Sequence, residues 1–234
     1  MQHKTIIFAF LVVLTTQRNY SQDRQLKLDK ESFLLGTLSD YMGRIVISNQ
    51  NDKIDVYDNP MAETITSLFK AEYADYRTEV NEDPRYHFKT TTIYSEKLSK
   101  KINLNYTFEK FALTHPKKDT VFYGKLKENL FQTELQKISF IVGLYSQSGV
   151  ENETRYCIRL SNSARKFAEA EKALKELKCK NVEVEIKKNI PTQFILYFEP
   201  SATLKKYLKE YRFLRKDMQK EADKRFKLLT TKKR

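Results

Sequence analysis

Apolar and polar residues recur with two different periods along this chain, and the switches between them divide it into elements. Leu28, Leu34, Leu35, Leu38 and Tyr41 form a helical stripe over Leu28–Tyr41. Two short strand-like runs follow, Arg44–Ser48 and Lys53–Tyr57, joined by Asn49–Asp52, whose amide and carboxylate side chains suit a turn. Asp58 or Asn59 then caps a helix with Pro60 at its first position, reaching to about Tyr73. Asn81–Pro84 reads as a break before an extended run, Tyr86–Tyr94, and Glu96–Ile102 is again helical. A long helix is predicted over Lys125–Ser146. Thr154–Leu160 sets Tyr156, Ile158 and Leu160 against Arg155, Cys157 and Arg159, a half-buried strand. Ser163 caps a helix ending near Lys178, Asn181–Lys188 alternates once more, and Gln193–Glu199 follows the turn at Asn189–Pro191. The last stretch, Ser201–Leu229, keeps Leu204, Tyr207, Leu208, Tyr211, Leu214, Met218, Ala222, Phe226 and Leu229 at helical spacing.

The pattern repeats. Glu31–Gly43 (ESFLLGTLSDYMG) and Lys137–Gly149 (KISFIVGLYSQSG) share a serine, a phenylalanine and a glycine at constant spacing: Ser32 with Ser139, Phe33 with Phe140, Gly36 with Gly143. Further on, Asn59 matches Asn162, Tyr94 matches Tyr197 and Glu96 matches Glu199. Each half reads α-β-β-α-β-β-α, so the expected fold class is α+β, a pseudo-duplication with antiparallel sheets and a long C-terminal helix. The first half spans 22–118, with His115–Lys118 as the linker; the second spans 119–229 and includes the basic helix 201–229, followed by a basic tail, 230–234. Gly36, Gly43, Gly143 and Gly149 are the expected seam where the two repeated helices meet.

Charge changes the picture in one respect. The chain carries a formal net charge of +13, with both signs interspersed through 31% charged residues, which bears on attraction to anionic partners and not on fold. The cations concentrate in the final helix, where Lys205, Lys206, Arg212, Arg215 and Lys216 are the candidate contacts to an anionic surface or polymer.

The start of the chain has the three-part pattern of a secretory signal: MQHK, an apolar run of about ten residues, then a polar exit with a small residue at Ser21. Residues 1–21 are accordingly expected to be removed on export, leaving a periplasmic or extracellular protein. Cys157 and Cys179 could then pair or stay as thiols; with two histidines left, neither a metal nor another cofactor is called for. Ser67 with Lys70 and Ser163 with Lys166 have the Ser-x-x-Lys spacing of some hydrolases, without the other motifs of that class.

A duplicated α-β-β-α-β-β-α unit opening on a helix with an internal and a terminal glycine resembles the LAGLIDADG homing endonucleases. Ile141–Gly149 can be laid on the nine-residue motif without a gap, and Leu34–Gly43 fits with one extra residue. The resemblance implies two motif helices packed side by side and a saddle of antiparallel strands that binds DNA. It also implies an acidic metal ligand just before each terminal glycine; here those places hold Met42 and Ser148, with Asp40 two residues too early. The charges alternating on the strands (Lys53 with Asp55, Glu183 and Glu185 beside Arg155 and Arg159) suit cross-strand pairing better than phosphate. The expectation is therefore an exported, non-enzymatic protein with a binding or structural role at the cell envelope and no nucleic-acid partner; the alternative is a cleavage-dead LAGLIDADG-like nucleic-acid-binding protein.

Overall fold

The computed structural model describes residues 26–38, 43–47, 52–56, 59–82, 89–110, 120–150 and 155–231. The expected signal segment, the His115–Lys118 linker, Asp40 and Met42 lie outside them.

The first helix among the described residues is α1 (Lys30–Thr37), started by Asp29, whose carboxylate accepts the Ser32 N–H at 2.9 Å. The Asp29 N–H, one of the orphan donors at a helix start, is met by the Ser139 hydroxyl of α4 (Glu134–Ser148) at 2.9 Å. These two helices make the most extensive packing in the molecule. They run in the same direction with their backbones nearly touching. A Cβ on Gly36 would lie 2.4 Å from the Phe140 carbonyl oxygen, and one on Gly143 would lie 2.3 Å from that of Phe33. Only hydrogen fits at either place. Buried phenylalanines, Phe33 and Phe140, flank the contact, with Phe131 stacked on Phe140 at 4.1 Å between ring centroids.

Strands β1 (Arg44–Ile47) and β2 (Lys53–Val56) follow α1, then α2 (Asn59–Phe69), β3 (Arg77–Glu82), β4 (Lys89–Tyr94) and α3 (Glu96–Asn103). β4 lies between β2 and β3, antiparallel to both. The second half lays β7 (Gly149–Val150), β8 (Tyr156–Ser161), α5 (Ala164–Glu176), β9 (Lys180–Lys187) and β10 (Gln193–Glu199) on the same plan, in the order β7-β8-β10-β9. The fold is α+β with antiparallel sheets and a long C-terminal helical stretch, as the repeat implied.

Three elements depart from the sequence expectation. Asn81 and Glu82 belong to β3 rather than to a break, because Arg77–Glu82 pairs along the whole of β4. The helix expected over Lys125–Ser146 begins only at Glu134, where Thr133 and Gln136 form a capping box. The residues before it make a hairpin, β5 (Tyr106–Lys110) with β6 (Val121–Leu126), and β6 pairs with β1. The division drawn at 118/119 thus falls between the two strands of one hairpin. The C-terminal helix is divided at Tyr211 into α6 (Ala202–Glu210) and α7 (Arg212–Thr231).

The helices cover one side of the sheets. α2 packs on β2 and β4, α5 on β9 and β10, and α6 and α7 lie over α4, with α7 also against α2. A single core joins the halves, running from Ile54, Ile65 and Ile93 through Phe33 and Phe140 to Leu174, Phe198, Leu204, Leu208 and Met218. Tyr211 faces this core beside Phe33, and burial pushes its phenol up to about 12.

Replacing Gly143 with Ala should push the two helices apart and lower stability by about 1–3 kcal/mol, the usual cost of overpacking a filled core. Gly36→Ala acts at the same contact, so the double variant should lose less than the sum. Denaturant unfolding measures both; an unchanged midpoint in Gly143→Ala would mean that the backbones do not meet there.

Candidate functional site

Strand alternation sorts every sheet residue to one of two faces, and the register identifies which face the helices leave bare. In the first half Ile54, Val56 and Ile93 are buried toward α2. Lys53, Arg77 and Glu79 therefore lie on the other face, opposite Tyr94, Tyr94 and Thr92 respectively. In the second half Ile158, Leu160, Leu196 and Phe198 face the core, which puts Cys157, Arg159, Ile195, Tyr197, Glu183 and Glu185 on the side away from the helices, where Cys157 and Ile195 are nonetheless buried among their neighbours.

At the matching position of each half, this bare face carries a tyrosine under a cation. The Arg77 guanidinium carbon stands 4.2 Å from the Tyr94 ring centroid, with the Lys53 ammonium 5.5 Å away. The Arg155 guanidinium carbon stands 4.8 Å from the Tyr197 ring centroid. Arg77 sits directly across from Tyr94 in the register, as Glu183 does from Tyr197. The second half thus has a carboxylate at the place where the first has a guanidinium. Arg155 bridges to that Glu183 at 2.5 Å.

A second acid, Glu185, accepts a hydrogen bond from the Tyr197 hydroxyl at 3.0 Å and pairs with Lys187 at 3.3 Å. The hydrogen bond from Tyr197 and the one from Lys187 hold the Glu185 carboxyl below its ordinary range, while Glu185 raises the Tyr197 phenol. Cys157, buried between Arg155 and Arg159, is a free thiol, and so is Cys179; burial pushes both thiols up.

The glycines anticipated as one seam serve two purposes. Gly36 and Gly143 face each other across α1 and α4. Gly43 and Gly149 lie where helix gives way to strand. Gly43, at φ +109°, packs under the Gly124 carbonyl of β6, and Gly149 packs against Tyr145. The last turn of α4 carries Gln147 and Ser148, an amide and a hydroxyl, where the family motif has its carboxylate.

Beside Gly43 is a cleft of about 360 Å³ between β6 and the start of α5, lined by Lys125, Arg165 and Lys166 among others. Its cations are engaged: Lys125 pairs with Glu109, Arg165 with Glu128, and the Lys166 ammonium donates to the Leu38 carbonyl at the end of α1. The Ser-x-x-Lys pairs are structural. Ser67 donates to the Thr64 carbonyl on the exposed side of α2, and Ser163 donates to the Ser161 carbonyl in the turn before α5. Among the C-terminal candidates Lys205, Lys206, Arg212 and Lys216 are exposed, while Arg215 is half-buried and bonds Gln219.

The arginine–tyrosine stacks are not evident in the sequence because Asn81–Pro84 reads as a break and Arg77–Val80 falls in no predicted element, although the repeat matches Tyr94 with Tyr197. Arg77 appears as a site residue only once β3 is laid beside β4.

No protein-family model and no curated protein sequence matches the chain. Solved structures do. A mesophilic variant of the homing endonuclease I-DmoI superposes at a TM-score of 0.48 with 13% identity, over 80% of this chain and 95% of that one. I-DmoI in complex with DNA and Ca gives 0.47 and 13%, over 79% and 86%. Full-length DUF199/WhiA from Thermatoga maritima, a protein with an N-terminal LAGLIDADG domain, gives 0.46 and 13%, over 86% of this chain and 63% of its own. The fold of this chain is LAGLIDADG-like: two side-by-side motif helices joined at glycines, under sheets with one bare face.

Three linked expectations are withdrawn: the role at an envelope surface, the export to periplasm or exterior, and the exclusion of nucleic acid. The solved structures of similar fold are of a homing endonuclease, one of them in complex with DNA, and of WhiA.

Glu185→Gln should bring the Tyr197 phenol down toward its ordinary value. The raised pKa favours the neutral phenol in the folded chain, so its contribution to stability holds below about pH 10 and is lost as pH rises further. An absorbance titration of the tyrosines against the wild-type protein measures this; superimposable curves would show that the bond does not form.

Proposed function

We propose that this chain is a nucleic-acid-binding protein that holds a duplex against its bare strand face and does not cut it. The observation that carries the reading is the pair of arginine–tyrosine stacks at matching places in the two halves. An arginine held against an aromatic ring is fixed in place and can turn in-plane N–H donors toward a phosphate or a guanine edge; Arg77 is held by its ring, while Arg155 is held by both its ring and Glu183. A net charge of +13 supplies the long-range attraction that phosphate binding draws on. I-DmoI is found in complex with DNA; for the present chain the support is its own strand face.

The proposal stops short of cleavage because of what stands before the terminal glycines. In-line hydrolysis through two hard cations needs carboxylates there, and Met42 and Ser148 provide none.

Fluorescence anisotropy with a labelled duplex, repeated over a range of salt, tests the binding. The wild-type protein should bind at low salt, and Arg77→Gln with Arg155→Gln should weaken binding at least about tenfold. If each arginine contacts one phosphate, the salt slope should also fall by roughly 2. Equal affinity in the double variant would overturn the placement on this face. The duplex should survive prolonged incubation with Mg²⁺; nicking that depends on the protein would overturn the non-cutting half of the reading.

A further inference from the structure

The outward side of α6 and α7 carries a second basic surface, away from the strand face. Leu204, Leu208 and Met218 are buried against the core. About a third of a turn round the helix from them, Lys205, Lys209, Arg212, Lys216 and Lys220 follow one another at spacings of three or four residues. Four of these are lysines, and all five residues are exposed. The backbone at Tyr211 stays near helical, at φ −88° and ψ 6°, and the Arg215 N–H reaches back to the Tyr211 carbonyl at 3.4 Å, so the row continues across the division. Between Ala202 and Lys227 there are ten Lys and Arg against four Asp and Glu, and two of those acids, Asp217 and Glu221, are paired with Lys220 and Lys224.

At 1.5 Å per residue the row from Lys205 to Lys220 is roughly 22 Å long, matching about six base-pair steps of a duplex. Phe213, 65% exposed, lies on the same side. Because α6 and α7 pack on α4 and α2, this row lies on the helical side of the molecule and is separate from the bare strand face.

We infer that the α6–α7 row takes the phosphate backbone of a second nucleic-acid segment, so that one protein molecule bridges two duplexes. The bridging half of this inference rests on the strand-face reading proposed above; the phosphate contact by the row does not.

The experiment compares wild-type protein, a row variant (Lys205, Lys209, Lys216 and Lys220 all to Gln) and the strand-face variant (Arg77→Gln with Arg155→Gln). Each is loaded on an immobilised duplex at low salt and offered a second, labelled duplex of different sequence; direct binding to one duplex in solution is measured alongside. All the row positions are exposed, so the fold should persist, as circular dichroism would verify. Wild-type protein should capture the second duplex, and the row variant should capture at least about tenfold less while still binding the first. Its salt slope for any residual row contact should drop by up to about 3.6, the loss of four phosphate contacts.

Wild-type protein that binds one duplex and captures no second overturns the bridging and leaves the strand-face reading standing. Capture that survives in the row variant overturns the role of the row. A strand-face variant that binds one duplex like wild type, while the row variant does not bind, overturns the strand-face reading and the bridging, and keeps the row as the phosphate contact.

Discussion

The contact of α1 with α4 through Gly36 and Gly143 sets the geometry of everything else in this molecule. Two helices whose carbonyl oxygens approach the opposing α-carbons this closely leave no room for a side chain, so the pairing depends on two hydrogens. The gain is dispersion between closely packed backbones and a single buried core shared by both halves. The Asp29 N–H to the Ser139 hydroxyl adds a polar tie at the start of the same contact, fixing how far one helix can slide along the other. Once that pairing is made, α2 and α5 are carried to the same side of their sheets, and among the described residues neither α2, α5, α6 nor α7 packs on the opposite strand face.

What the bare face offers is local rather than bulk charge. Its acids and bases are interleaved, so a count of charges along the strands gives a near-neutral surface. The stacks change the picture because position matters more than number: Arg77 and Arg155 are each held against a ring, Arg155 also by Glu183, whereas Lys125, Arg165 and Lys187 are drawn to carboxylates alone. The halves also differ in kind. The residue across from the stacked tyrosine is a base in the first half and an acid in the second.

Much of this was legible in the chain itself where a residue type has few alternatives. The repeated Ser, Phe and Gly of the two motifs could be matched by eye, because glycine in the middle of an apolar helix has a cost that close packing offsets. The alternation of Thr154–Leu160 and Gln193–Glu199 placed β8 and β10 within a residue or two. Legibility ended where local chemistry was ambiguous. Arg77–Glu82 has a weak strand composition and is held by pairing with β4, a contact remote in sequence. Leu126 and Leu130 fall by chance on the apolar stripe of α4, which conceals β6; the Thr133–Gln136 capping box is the available signal that the helix starts later. The bare face could not be read at all without β3, since Arg77 meets Tyr94 only across strands.

The β5–β6 hairpin gives the duplication a direction. Among the described residues the first half devotes β1-β6-β5 and β2-β4-β3 to its sheets, and the second has only β7-β8-β10-β9. The extra strands are joined to β1, and β6 also reaches α5 of the other half. A molecule with two superposable halves would accept a two-fold symmetric ligand in either of two equivalent orientations. Here a half-turn about the axis between α1 and α4 brings a three-stranded extension onto a two-residue edge strand, and an arginine onto a glutamate. The two orientations are therefore unequal in energy, and the surface has a built-in polarity that an internal repeat alone would lack.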